Sequence, residues 1–198
     1  MGGEHTLEKH WEFILDWLEE EAPDIYDTLE DGAVRDDIEA FEDDLGFSLP
    51  ADVQVFFSLV NGGEESDLLP AREAEDVGFS LLSLDESFSA RESELELREE
   101  FPEEMFSGDD EVAHVVWHPR WVPVASNGEG DYYCIDLAPA KGGTVGQVIA
   151  VLQENYERYV ISTSISTLIA DLAEGLESGK YDYDEDLGIA QFGSDEEE

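Results

Sequence analysis

Basic residues are scarce in this chain. Nine Lys and Arg face 52 Asp and Glu in 198 residues, a formal charge of −43. Nucleic-acid binding by phosphate neutralisation needs clustered Lys and Arg, and a polybasic membrane anchor needs the same, so both are excluded. Cysteine is nearly absent too. Cys134 stands alone, which forbids an internal disulfide and any Cys-x-x-Cys motif. No apolar run approaches the ~20 residues of a transmembrane helix. The opening Met1-Gly-Gly-Glu-His5 has neither the basic n-region nor the apolar h-region of a signal peptide. Together these absences predict a cytoplasmic protein that neither binds nucleic acid nor inserts into a membrane.

What is present predicts folding. Hydrophobic residues make up 41% of the chain, with 10 Phe, 7 Tyr and 4 Trp, whereas a disordered acidic chain is poor in aromatics. The length suits a single domain, expected over residues 1–187, with 188–198 as an acidic disordered tail. The acids are unevenly placed. Residues 1–50 carry 17 and residues 51–111 carry 19, while residues 112–170 carry five acids and three bases. Buried strands tolerate little unpaired charge, so 112–170 is the expected heart of a sheet. Two explanations of the acidity compete: adaptation to molar cytoplasmic salt, or recognition of a basic partner. The spread of acids over three segments and the presence of only three lysines favour the first.

Hydrophobic spacing predicts the helices. Leu7, Trp11, Ile14, Leu15 and Leu18 recur every three or four residues, with Thr6 as N-cap and a stop before Pro23. Val34, Ile38, Phe41 and Leu45 form a second stripe ended by Gly46. Pro50 opens a third helix whose face is Val53, Phe56, Phe57 and Val60, and Asn61-Gly-Gly63 should end it. A closing helix carries Ile165, Leu168, Ile169, Leu172 and Leu176, capped by Ser162 or Ser164 and followed by Gly179. Strands are expected at 77–84, 112–117, 121–126, 131–136 and 148–152, with Asn127-Gly-Glu-Gly130 turning a hairpin. The glutamate-rich stretch 86–106 reads as an exposed helix or a mobile excursion.

Chemistry is hard to find. His114 and His118 would lie ~13 Å apart at strand rise, too far to share a metal. Asp182, Asp184 and Asp186 imitate the start of a calcium loop, but the glycine falls one place late, at Gly188, and position twelve is Gly193. Gly128-x-Gly130 lacks the context of a dinucleotide site. Cys134 beside Ile135 reads as a small buried thiol. The prediction is no catalytic residue, no metal and no cofactor.

The order of short motifs is more specific than any one of them. Phe41-Glu42, Gly46-Phe-Ser-Leu-Pro50, Asn61-Gly62-Gly63, Trp117, Trp121-Val-Pro-Val-Ala-Ser-Asn-Gly-Glu-Gly-Asp131, Cys134-Ile-Asp136-Leu-Ala-Pro139 and Gly142-Gly-Thr-Val-Gly-Gln-Val148 follow in sequence. This series resembles the Smi/Knr family of the SUKH superfamily, over roughly residues 7–178. The resemblance implies an α+β fold, with a mainly antiparallel central sheet and N- and C-terminal helices packed on it. It also implies a non-enzymatic, protein-binding role. Bacterial members look like immunity proteins that neutralise toxins, and the fungal branch links signalling to wall synthesis. The expected function is therefore an immunity-type module that binds a partner such as a basic toxin domain; the alternative is a regulatory scaffold in cell-envelope assembly or signalling. The motif residues Pro50, Asn61, Gly62, Trp121, Gly130, Asp131, Asp136 and Gly146 read as structural. Partner contact is expected at Glu64, Glu65 and Asp67, in an exposed acidic loop.

Overall fold

In the computed structural model, which describes residues 4–71, 77–97, 106–153 and 156–191, helices come first. They are α1 (Glu4–Glu21), the single turn α2 (Pro23–Tyr26), α3 (Arg35–Leu45) and α4 (Ala51–Leu59), with the short strand β1 (Leu29–Asp31) before α3. β1 pairs antiparallel with β2 (Val60–Gly63), which continues directly from α4. Two sequence expectations shift here. Thr6 lies inside α1 and does not cap it, and Asn61-Gly-Gly63 is strand, because α4 ends at Leu59 with Val60 already extended. Gly46 does terminate α3 in the left-handed conformation, at φ 77°.

The acid-poor half builds the sheet. β3 (Ser80–Leu81), α5 (Leu84–Leu97) and β4 (Ser107–Gly108) precede four longer strands: β5 (Trp121–Ser126), β6 (Tyr132–Asp136), β7 (Gln147–Val151) and β8 (Glu157–Ser162). The order is β3-β5-β6-β7-β8-β4, antiparallel throughout except for the parallel β4–β8 edge. The fold is α+β. Side chains alternate across it as the pleat requires. Val122, Tyr133, Ile135, Val148 and Ala150 join the main core beneath the helices, while Trp121, Cys134, Ile149 and Val151 join a second core on the opposite face.

α6 (Ile165–Ser178) closes the main core, packing on α1, α4 and the β7–β8 pair. Ser164 caps it by accepting the Thr167 amide at 3.1 Å, and Gly179 ends it at φ 72°. Trp11 of α1 meets Phe56 of α4 edge-on, 6.3 Å between ring centres. Burial of Leu7, Ile14, Leu18, Phe56 and Ile169 contributes about 1.5–3 kcal/mol per side chain. The chain then forms a hairpin, β9 (Tyr181–Asp184) with β10 (Gly188–Gln191). The tail expected from residue 188 therefore starts with an ordered strand whose Ile189 is fully buried; residues 192–198 lie outside the described set.

The second face is covered by α5 and by the loop before β5. Residues 112–117, expected as a strand, form this loop instead. Their apolar side chains Val112, Val116 and Trp117 are buried against the sheet, but their backbone joins no ladder. α5 replaces the expected exposed helix or excursion over 86–97, for it buries Ser87, Arg91 and Glu94; residues 98–105 lie outside the described set. Both sheet edges are closed by side chains as well as by short strands. On β5, the Ser87 hydroxyl donates to the Pro123 carbonyl at 2.6 Å, and on β8 the Asp109 carboxylate accepts the Val160 amide at 2.9 Å.

Candidate protein-interaction surface

The motif residues make contacts within the fold. Asn61 Oδ1 accepts the Leu84 amide at 3.0 Å, satisfying a free donor in the first turn of α5, whose cap is the reciprocal Ser83–Glu86 pair. Gly62 sits at φ 103°, where an added Cβ would come within 2.8 Å of the Ser83 nitrogen. Asn127 Oδ1 takes the Glu129 and Asp131 amides and shapes the β5–β6 turn, which Gly130 completes at φ 99°. Asp131 reaches on to the Gln153 amide at 2.7 Å. Buried Asp136 accepts from the Ala138 amide at 2.9 Å and from Gln147 Nε2 at 3.1 Å; burial raises its pKa above the ordinary carboxylate value, against the pull of these donors. Gly146 turns at φ 89° against the Pro50 ring, and Trp121 fills the second core.

Two polar side chains that spacing did not reveal organise that second core. Arg158 is fully buried, and its guanidinium donates to the carbonyls of Val115, Val116, Leu152 and Glu157. Burial lowers its pKa to about 10, which leaves it charged at neutral pH. The Phe106 ring lies against it, 4.7 Å from its centre. Glu94, 7% exposed, accepts from Gln153 Nε2 at 3.0 Å, and burial raises its pKa. Cys134 is buried beside them with its thiol pushed well up, the reverse of a reactive cysteine. Nothing in the local pattern of β8, Glu157-Arg-Tyr-Val-Ile-Ser162, marked Arg158 for burial.

His114 and His118 are engaged with the main chain. His114 Nε2 lies 3.1 Å from the Asp109 carbonyl, and His118 Nδ1 accepts the Arg120 amide at 3.1 Å. No cluster of three potential metal ligands occurs among the described residues, and no described helix is long and apolar enough to cross a membrane.

Three surface features remain for recognition. The first is the expected acidic loop. Glu64 and Glu65 are exposed at a turn, but Asp67 is half-buried and committed: its carboxylate accepts the Ser80 hydroxyl at 2.8 Å, and its carbonyl accepts the Ile189 amide at 2.9 Å. The second is a groove between α3 and α4, lined by Ile38, Glu39, Glu42, Gln54, Val55 and Ser58. Val34, 63% exposed, precedes its first turn. The third lies at the opposite end of the sheet from the acidic loop. There Phe47 sits beneath the Arg120 guanidinium at 5.0 Å and beside that of Arg91 at 5.9 Å.

Comparison with known proteins places this architecture. The model of the SMI1 / KNR4 family (SUKH-1) matches residues 32–171. The cell wall biosynthesis/cell cycle regulator smi1 of Schizosaccharomyces pombe is 29% identical, over 91% of this chain and 38% of that protein. The cell wall assembly regulator SMI1 of Saccharomyces cerevisiae is 24% identical, over 86% and 40%. The glucan synthesis regulatory protein of Neurospora crassa is 26% identical, over 89% and 39%. This chain thus spans about two fifths of these curated relatives. The family model runs from the loop before α3 into α6, taking in the whole central sheet, and the chain belongs to the SMI1/KNR4 (SUKH-1) family.

Proposed function

We propose that this chain is a protein-binding module that regulates cell-wall or envelope assembly from the cytoplasm, as a scaffold and not as a catalyst. The observation that carries this reading is the alignment of nearly the whole chain with proteins named as cell wall or glucan synthesis regulators. It supports the regulatory alternative over the immunity-type role first expected from the sequence. The geometry agrees in kind. The motif carboxylates and amides tie loops together, and the buried ionisable groups Arg158 and Glu94 hold main chain and side chain in place, so recognition falls to the surface.

The test is deletion of the gene combined with capture of the full chain by crosslinking in its own cells. Altered wall polymer content on deletion, with capture of wall-synthesis or signalling proteins, is the expected result. Protection of cells from a co-expressed nuclease, without any wall phenotype, would instead restore the immunity reading.

A further inference from the structure

Protein interfaces have cores depleted in Asp and Glu, because each buried carboxylate must shed its hydration. A docking site of standard size covers about 800 Å² per partner. On a chain with 52 acids such a site has few places to form. Residues 46–51, 112–128 and 137–153 contain no Asp or Glu at all. These three segments are distant in sequence, yet the fold gathers their loops at one end of the sheet, where β5 and β7 begin and β6 ends.

The ties between them are specific. The Leu137 amide donates to the Arg120 carbonyl at 3.1 Å, and the Arg91 guanidinium holds the Pro119 carbonyl through Nη2 at 2.6 Å. A Cβ at Gly146 would stand 3.5 Å from the Pro50 ring, and the Arg120 guanidinium lies over Phe47. The result is a patch with half-buried Phe47, exposed Arg120 and Val145 at 66% exposure. Arg120 and Lys141, both exposed, make no ion pair among the described residues, although acids outnumber bases 52 to 9. The carboxylates of this end are engaged: Asp136 is buried on the Ala138 amide and Gln147, Glu42 accepts the Leu49 amide, Glu92 is paired with Arg91 at 2.7 Å, and Glu111 lies beside Gly142.

We propose that this end, where Arg120 and Val145 are exposed, is a docking site for a partner segment that presents carboxylates beside an apolar side chain. The Arg120 guanidinium lies over the Phe47 ring at 5.0 Å and is exposed, and its planar set of N–H donors suits a carboxylate. The partner's apolar side chain covers Val145 and the open edge of Phe47. Aromatic and Arg side chains are the ones enriched in such interfaces. Within the patch the exposed charges are Arg120 and Lys141, which favour an acidic group over a basic one at this end. This site rests on the protein-binding reading above and specifies where, and to what chemistry, that binding occurs.

The test uses the full chain, isotope-labelled for NMR, in ~0.15 M salt. Two synthetic peptides of equal length are titrated: one with Leu and Phe set among Asp residues, the other with Lys in place of each Asp. The expected result is binding of the Asp peptide, with shifts at the Val145 methyls and the Arg120 side chain. Arg120→Ala and Val145→Asp, both exposed and checked for folding by circular dichroism, should each weaken it at least about tenfold. Glu64→Gln should leave it unchanged. Absence of binding, preference for the Lys peptide, or affinity unmoved by Arg120→Ala and Val145→Asp would each overturn the proposal. If partners captured from cells are retained by both variants, the docking site is elsewhere and this proposal fails while the regulatory reading stands.

Discussion

Arg158 of β8 holds Val116 in place from across the second face of the sheet: its Nη2 donates to the Val116 carbonyl at 3.0 Å, and its Nε reaches the Val115 carbonyl at 3.2 Å. This contact explains how residues 112–117 can be buried without being a strand. A buried carbonyl without a partner costs about 1–3 kcal/mol, and here one side chain supplies the donors that a neighbouring strand would otherwise give.

Removing that side chain should therefore be severe. Arg158→Met is expected to lower stability by on the order of 3 kcal/mol or more, since the carbonyls of Val115, Val116 and Leu152 lose this donor together, while that of Glu157 keeps the Leu152 amide. Urea denaturation measures the loss. Arg158→Lys keeps the charge but lacks the planar fork, and should recover only part of it. Near-ultraviolet dichroism from Trp117 and Trp121, packed 5.9 Å apart in this core, should weaken in both variants. An Arg158→Met protein as stable as the parent would refute the assignment.

Asn61→Ala tests the tie between β2 and the first turn of α5. Leaving the Leu84 amide without its acceptor costs about 1–3 kcal/mol, and the effect should appear as faster amide exchange in Leu84–Leu97 than in α6. Equal slowing or acceleration in both helices would show that Asn61 acts on the fold as a whole.

The periodic parts of this architecture were legible in the sequence. α3, α4 and α6 announce themselves through stripes of buried side chains, and the β5–β6 hairpin through Asn127-Gly-Glu-Gly130. What escaped were elements whose partners lie far away in the chain. Asn61 looks like the end of the helix before it, because its bond to Leu84, 23 residues on, leaves no local trace. Val112–Trp117 has strand composition because it is buried, and burial, not hydrogen bonding, sets that composition. β8 and the β9–β10 hairpin carry too many polar residues to stand out. Of the expected contact residues, Asp67 bonds Ser80 and Ile189, a tie with no local trace because the three meet only after the chain has folded.

Glu94 should make stability depend on pH in the direction opposite to ordinary acid unfolding. Its folded pKa is raised above the usual 4.5 by burial, so the folded chain binds its proton more tightly than the unfolded chain does. The stability from this group is fully present below pH ~4.5 and is lost as pH rises through the folded value. Glu94→Gln should raise the thermal midpoint at pH 7, and the gain should shrink as pH falls towards 4.5. A gain that stays constant over this range would exclude the carboxylate as its source.

Salt should stabilise the chain. Raising KCl from ~0.1 M to ~1 M shortens the Debye length from ~10 Å to ~3 Å, which relieves the mutual repulsion of a −43 surface. The thermal midpoint is expected to climb steeply over this range. A midpoint independent of KCl would leave salt adaptation without support and favour recognition of a basic partner as the reason for the charge.

The closure of both sheet edges acquires its importance under those same conditions. In dilute buffer, neighbouring molecules are kept apart by their charge, and an open strand would do little harm. Near 1 M salt that protection is gone, and unpaired edges become templates for aggregation between chains. Ser87 on the Pro123 carbonyl and Asp109 on the Val160 amide occupy the sites that an invading strand would need. Ser87→Ala and Asp109→Ala together should leave a chain that stays dispersed at low ionic strength and clumps only when the salt is high.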